Sequence, residues 1–141
     1  MFLLDTNVIS ELRKTKPHGA VSAWIRSLHD EDIQLPAVAI AELQDGAERT
    51  RRQDPQKAVE LEQWIDRIMA SFAVLPMDGP MFREWARLMS GKSDDLAADA
   101  MIAATARAHR LTVATRNVKD FTLFDVQVFN PFTYGATDRR K

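Results

Sequence analysis

Four acidic residues lie far apart in the sequence, at positions where an α/β fold would bring them together: Asp5, Glu42, Asp99 and Asp120. Asp5 ends the apolar run that starts the chain, and Asp120 lies one turn beyond a second such run, Leu111–Thr115. In open α/β sheets, ligands collect outside the carboxyl ends of the strands. Carboxylates that crowd together there need a proton, a cationic side chain or a metal ion between them. Because oxygen ligands favour Mg²⁺ or Mn²⁺, the pattern predicts a divalent-metal site.

Asp99 is the acid that stands out most in its local sequence. On a helix its neighbours three, four and seven residues away are apolar: Leu96, Ile102, Ala103 and Ala106. An unpaired ionised carboxylate on an apolar stripe is costly, so it should have a partner or carry a proton. The alternatives to a functional site are a salt bridge or a place in the first helical turn, where an acid suits the helix dipole. Asp95, one turn earlier, would share the face as a ligand or as a cap.

Asp5 and Glu42 each have an ordinary structural explanation. An Asp before Thr6 and Asn7 at a helix start is typical of an N-cap. The two roles can coexist if Asp5 binds metal while Thr6 or Asn7 satisfies the helix amides. Glu42 follows the strand Ile33–Pro36 by half a helix, where a solvated glutamate is the common outcome.

The loop after the strand at Leu111–Ala114 carries several polar side chains. Asn117 and Asp120 can cap or stabilise a turn, and their position also favours the edge of a site. Arg116 and Lys119 lie beside them and are placed to approach phosphates.

The order of the segments predicts an α/β domain, because short apolar strands alternate with amphipathic helices. The expected strands are Phe2–Asp5, Ile33–Pro36, Phe72–Leu75, Leu111–Ala114 and Val126–Phe129. Six helices are expected. The first starts at Thr6, the second covers about 17–28 with Pro17 in its first turn, and the third carries Ile40 and Glu42. The fourth covers 54–71, the fifth ends at Met89 before a left-handed Gly91, and the sixth covers 96–109. We expect a three-layer α/β/α domain over residues 1–135, with a mainly parallel sheet of four to five strands, and a polar tail at 136–141.

The composition fits one globular domain that needs no covalent staple: 141 residues, 45% of them apolar, with five Gly and six Pro. The chain has no Cys, which excludes thiol nucleophiles, disulfides and cysteine zinc sites. The sequence shows no glycine-rich phosphate loop or nucleophile elbow, which argues against nucleotide and serine hydrolases. It also shows no signal-peptide pattern and no long apolar stretch, so we expect a cytoplasmic protein that does not contact a membrane.

The net charge of −1 gives no overall basic footprint for nucleic acid, but basic residues occur in local clusters. For clusters such as Arg13–Lys16 and Arg49–Arg52, a solvated surface is the simpler interpretation. Arg116 and Lys119 are the exception, because they flank the acidic positions. The three histidines, His18, His29 and His109, are expected at the surface rather than as metal ligands. The three tryptophans, Trp24, Trp64 and Trp85, are expected in helix packing or in contact with a partner rather than in base stacking.

Taken together and in order, these segments resemble the PIN-domain ribonucleases, and within them the VapC-like and FitB-like toxins of bacterial type II toxin–antitoxin systems. The resemblance covers nearly the whole chain. It is carried by Phe2–Glu11, Ala41–Leu43, Asp99–Ala106, Ala114–Phe121 and Val128–Phe132.

The resemblance implies a metal-dependent endoribonuclease with a PIN-like fold. Asp5 and Asp99 would be the principal ligands of Mg²⁺ or Mn²⁺, with Glu42 positioning metal or water and Asp120 as the fourth acid. Many relatives have an acid where this chain has Asn117, so the fourth role is shared between Asp120, which we favour, and Asn117. Thr115 or Asn117 would orient the attacking water.

The same resemblance implies three kinds of partner. These are a structured RNA substrate such as tRNA, a second copy in a homodimer, and a cognate antitoxin. An arginine from the antitoxin would neutralise the acidic pocket, and binding of antitoxin to the dimer would give a higher assembly.

Two other functions fit parts of the sequence. A catalytically inert PIN-like dimer would bind antitoxin or RNA without cutting it. A phosphatase or receiver-like domain would use Asp5 as a phosphate acceptor, with Lys119 as its only evident cationic partner.

Overall fold

The apolar run at the start of the chain forms the central strand of a five-stranded sheet. The computed structural model describes residues 1–135, so the predicted tail at 136–141 lies outside the described residues. All neighbouring strands are parallel, and their order across the sheet is β3-β2-β1-β4-β5. The strands are β1 (Phe2–Leu4), β2 (Ile33–Pro36), β3 (Ala73–Leu75), β4 (Thr112–Ala114) and β5 (Val128–Phe129). The predicted parallel sheet of four to five strands is confirmed.

Six of the helices in the described residues follow the strands in the order that the sequence predicted, and a seventh, Val118–Phe121, forms where the sequence analysis expected a loop. They are α1 (Thr6–Ile9), α2 (Gly19–Arg26), α3 (Ala37–Arg51), α4 (Pro55–Ser71), α5 (Gly79–Met89), α6 (Ala97–His109) and α7 (Val118–Phe121). Two of the long helices begin at aspartates: Asp54 accepts a hydrogen bond from the Lys57 amide at 3.1 Å, and Asp78 from the Met81 amide at 3.0 Å. Such caps satisfy amides that have no partner inside the helix.

Three element boundaries differ from the prediction by two residues. Pro17 does not lie in the first turn of α2, because His18 is the N-cap and its ring nitrogen accepts from the Ala20 amide at 3.2 Å. The helix ends at Arg26 rather than near residue 28. Strand β5 begins at Val128, two residues later than expected, because its ladder with β4 pairs only Val113 with Val128 and Ala114 with Phe129. Gly91 does follow α5 in the left-handed region, at φ 75°.

The core has two halves, one on each face of the sheet. Successive side chains of a strand point to opposite faces. Leu4 accordingly packs with Val8, Trp24 and Leu35 on one side, while Leu3 packs in the other cluster. That second cluster contains Ile102, Val113, Phe121 and Phe124. Both faces of the sheet are therefore covered, as the three-layer α/β/α prediction requires.

The position of β1 determines where a site can form. After β1 the chain builds β2 and β3 on one side and returns to add β4 and β5 on the other, so β1 lies at the point where the strand order reverses. Leu4 is in register with Ala114, and the Asp5 amide donates to the Ala114 carbonyl at 2.9 Å. The residues that follow β1 and β4 therefore meet at the carboxyl edge, where ligands bind in such sheets.

The surface of the fold carries the three histidines. His18, His29 and His109 are exposed, as predicted. No helix in the part of the chain that the structure describes is long and apolar enough to cross a membrane.

Candidate active site

Asp5 is the most enclosed of the four acids, with only 4% of its surface exposed. It directly follows β1 and is the N-cap of α1, where its Oδ1 accepts from the Thr6 amide at 2.7 Å. Its Oδ2 accepts from the Thr115 hydroxyl at 2.7 Å and from the Asn7 amide group at 3.2 Å. Burial raises the pKa of Asp5; these hydrogen bonds oppose the rise, and the charge of Glu42 adds to it.

The prediction that Asp5 is an N-cap is confirmed, whereas the expectation that Thr6 or Asn7 would satisfy the helix amides is wrong. Asp5 itself caps α1. Asn7 instead joins two loops, since its side chain donates to Asp5 and its Oδ1 accepts from the Arg116 amide at 3.3 Å. Thr6 uses its hydroxyl to bind Glu42. The sequence Asp5–Asn7 therefore predicts a helix cap, but it does not predict the distant residues to which these side chains form hydrogen bonds.

Thr115 is a buried residue that fixes the orientation of Asp5. Its hydroxyl donates its proton to Asp5 and accepts from the Asn117 amide at 2.9 Å. A threonine hydroxyl has one proton to donate. In this arrangement Thr115 holds a carboxylate, while the Asn117 side chain is exposed and lies closer to solvent.

Glu42 reaches the site from α3, on the other side of Asp5. Its Oε1 accepts from the Thr6 hydroxyl at 2.6 Å, and the residue is exposed. Thr6 therefore links the first helix to the third. An exposed carboxylate held by one short hydrogen bond has a defined position and keeps unused lone pairs.

Asp99 lies in the first turn of α6 and is half-buried. Burial, followed by the charges of Asp5, Asp120, Glu42 and Asp95, raises the pKa of Asp99 to about 6. Among the residues that the structure describes, Asp99 has no ion pair, so the salt-bridge alternative gains no support. The acids predicted from four separate segments are close enough to repel one another at Asp99.

Asp120 and Asn117 are the two candidates for the fourth residue of the acidic site, and their surroundings differ. Asp120 lies in α7, is half-buried, and is the second-largest of the charges that raise the pKa of Asp99. Asn117 is at the N-cap of α7 but makes no side-chain cap there. Asp95, which lies in a 3₁₀ turn, is exposed and has the smallest effect on Asp99. The charge of Asp120 thus acts on Asp99, while its role as the fourth acid stays a prediction.

The two cationic candidates beside the site are placed differently. The Arg116 guanidinium lies over the Phe132 ring, 3.8 Å from its centroid, which fixes the side chain by a cation–π contact. Lys119 is an exposed residue of α7. Both flank the acids in sequence, and Arg116 is the more firmly held of the two.

The donor set suits a hard divalent cation, although it is not a complete protein cage. In the described part of the chain, no three acidic or histidine side chains already stand at metal-ligand spacing. Mg²⁺ commonly keeps several waters and takes only one or two carboxylates together with substrate phosphates. Asp5 uses three of about four lone-pair positions, which leaves one for a cation. Repulsion at Asp99 supplies the electrostatic reason for a cation to bind there.

Comparisons of the sequence and of the fold show which known proteins this chain is similar to. The family model described as PIN domain matches residues 2–125. The chain is 43% identical over 139 residues to Toxin FitB of Neisseria gonorrhoeae, covering 94% of this chain and 99% of that protein. It is 40% identical over 143 residues to VapC ribonuclease Y4jK of Sinorhizobium fredii, covering 94% and 98%. The crystal structure of FitAcB from Neisseria gonorrhoeae is similar with a TM-score of 0.82 and 41% identity, covering 94% of this chain and 99% of that one.

Proposed function

This chain belongs to the PIN-domain family, and from that premise we propose that it is the ribonuclease toxin of a type II toxin–antitoxin module. The proposal extends to hydrolysis of phosphodiester bonds in RNA with Mg²⁺ or Mn²⁺. The single observation that carries it is the hydrogen-bonded group that follows the central strand, in which Thr115 holds Asp5 and Thr6 holds Glu42, with the charges of both acids acting on Asp99. Relatives of nearly the same length named as a toxin and as a ribonuclease support it.

The roles of the acids follow from how firmly each is held. Asp5, fixed by three hydrogen bonds, and Asp99 would hold the metal ion, with Asp120 as the fourth acid. When bound, a divalent ion polarises a phosphodiester and makes a water molecule more acidic. Glu42, fixed by Thr6, positions metal or water at the outer side of the site.

Other residues would act on the water and the phosphates. The Thr115 proton is already donated to Asp5, so water orientation falls to the exposed Asn117 side chain. Arg116 and Lys119 are cationic groups beside the acids and would contact RNA phosphates.

The biological setting is part of the same proposal. We expect structured RNA such as tRNA as substrate, a homodimer, and a cytoplasmic location. A cognate antitoxin would inhibit the enzyme, and an arginine from it would neutralise the acidic pocket. The shared length and identity with FitB and Y4jK support this assignment.

The experiment that tests the proposal compares RNA cleavage with and without metal. Purified chain free of antitoxin is incubated with a tRNA pool, with Mg²⁺ or Mn²⁺ and with a chelator, and the RNA ends are sequenced. We expect discrete cuts that require metal and disappear in Asp99→Asn. The matched control is Asp125→Asn, since Asp125 is exposed and its left-handed backbone, at φ 52°, also suits asparagine. Folded wild-type protein that binds metal and cuts no RNA would support the inert binding dimer instead.

A further inference from the structure

Two cavities lie next to each other on the surface, and the first borders the acidic site. The first has a volume of about 250 Å³ and is bordered by Thr6 and Glu42 at one end. The second, of about 260 Å³, lies farther along the surface. They share Arg13, Leu61 and Trp64 as lining residues, so the two cavities are adjacent and together define one groove on the surface. The groove thus connects a candidate catalytic carboxylate with a surface that the proposed chemistry does not yet use.

The far end of this groove is strongly cationic. Its charged lining consists of one carboxylate, Glu60, and four cations: Arg13, Lys14, Lys57 and Arg67. Lys14 pairs with Glu11, and Lys57 approaches Glu60 only at 3.4 Å with both side chains about half exposed. Arg13 and Arg67 have no ion pair among the residues that the structure describes. Arginines that are not neutralised by the protein are available to an anionic ligand.

Trp64 gives the groove an aromatic surface between its acidic and its cationic ends. It is half-buried, packs against the core on one side, and lines both cavities on the other. The other two tryptophans are used differently: Trp24 is buried, and the Trp85 ring nitrogen donates to the Ala97 carbonyl at 2.9 Å. A positively charged groove with an exposed aromatic face is the usual way in which proteins bind single-stranded nucleic acid.

We propose that single-stranded RNA leaving the acidic site runs along this groove, with a base on Trp64 and phosphates on Arg13 and the cations beyond it. The inference rests on the proposed nuclease function and adds a path for the substrate. Charge complementarity is the argument for RNA as the occupant, because Arg13 and Arg67 line the groove without an ion pair among the described residues. The groove would add RNA contacts that are separate from those proposed for Arg116 and Lys119, since neither residue lines it.

The test measures binding without cleavage. The probe is a 2′-O-methyl oligouridylate of about twelve nucleotides in chelator, which prevents cutting, and its affinity is measured by fluorescence anisotropy over a range of salt concentrations. The variants are Arg13→Gln, Arg13→Lys and Trp64→Leu. The matched control is Arg83→Gln, an exposed arginine of α5 that lines a different cavity. Thermal unfolding confirms that each variant is folded.

Each variant has its own expected signature. Arg13→Gln should lower the slope of log affinity against log salt by about 0.7, the value for one phosphate contact on a single strand, and Arg13→Lys should restore it. Trp64→Leu should weaken binding by about fivefold or more with little change in that slope, because base stacking is not a charge interaction. Arg83→Gln should bind like the wild type.

Three outcomes would overturn the inference. The first is a wild-type chain that does not bind the oligonucleotide at low salt. The second is wild-type affinity and salt slope in folded Arg13→Gln. The third is normal RNA binding by Arg13→Gln and Trp64→Leu together with loss of their binding to the cognate antitoxin, which would make the groove a protein-binding surface. A wild-type chain that binds the oligonucleotide in this groove but cuts no RNA would instead contradict the proposed nuclease function and leave the inference standing.

Discussion

Replacing Asp99 by Asn should stabilise the metal-free protein at neutral pH. The pKa of Asp99 is raised from 3.8 to about 6, so its folded form retains a proton that the unfolded chain has already released. Where the folded state binds more protons, stability falls as the pH rises. The cost of ionising Asp99 is absent below about pH 4, grows through about pH 6, and is complete above it. An asparagine side chain at this position has no charge and avoids this cost.

The size of the effect follows from the pKa of Asp99 and its exposure. A rise from 3.8 to about 6 would correspond to about 3 kcal/mol for a fully enclosed group, at 1.36 kcal/mol per pKa unit. Asp99 is half-buried, so solvent screening reduces the expected gain to about 1 kcal/mol. For a chain of this length that gain raises Tm by about 3–4 °C.

The assay is urea unfolding of wild type and Asp99→Asn in chelator at low ionic strength, at about pH 4 and about pH 7.5. We expect the variant to be more stable at the higher pH and equal to the wild type at the lower one. Added Mg²⁺ should then stabilise the wild type more than the variant, because only a ligand that binds the folded state shifts the equilibrium. A variant that is less stable at the higher pH in chelator would refute the reasoning and indicate that Asp99 has a stabilising partner.

The remaining predictions concern residues that hold the acids, and a control outside the site. Thr115→Val removes the donor to Asp5 and should lower Mn²⁺ affinity about tenfold, since hydrogen bonds to charged groups contribute about 1.5–3 kcal/mol; Thr115→Ser should restore it, and unchanged affinity would contradict the role. Thr6→Val releases Glu42 and should slow RNA cleavage about tenfold while unfolding free energy changes by less than about 0.5 kcal/mol, measured by initial rates and urea unfolding; equal rates would count against it. Asp54→Ala removes the cap of α4 and should cost about 1 kcal/mol of stability with cleavage unchanged; a matching loss of activity would mean that cleavage tracks stability rather than the site.

The fold was largely predictable because its local signals agree with one another. Leu3 and Leu4 place one apolar side chain on each face of the first strand, as a sheet covered on both sides requires. Asp54 before Pro55 marked the start of α4 within one residue. The errors fell where local signals compete, as at Pro17, which lies before the helix because the His18 ring provides the cap.

The candidate site residues could be proposed from the sequence, but the hydrogen bonds that connect them could not. Asp99 on an apolar stripe pointed to a special environment, and its half-burial with a raised pKa agrees with that. The bonds from Thr115 to Asp5 and from Thr6 to Glu42 join residues 110 and 36 positions apart, and no local pattern encodes such pairs. The sequence left Asn117 and Asp120 open for the fourth position because both residues suit a turn, and the structure adds that the charge of Asp120 raises the pKa of Asp99.

Direct Mn²⁺ binding tests the central claim, that these separated acids form one metal site that serves cleavage. Free Mn²⁺ is measured by electron paramagnetic resonance during titration of wild type, Asp5→Asn, Asp99→Asn and the control Asp125→Asn, and the RNA cleavage rate of each is measured at the same Mn²⁺ concentrations. We predict that both site variants lose Mn²⁺ binding and cleavage together, while the control keeps both. Mn²⁺ binding at wild-type affinity in folded Asp5→Asn and Asp99→Asn would contradict the account.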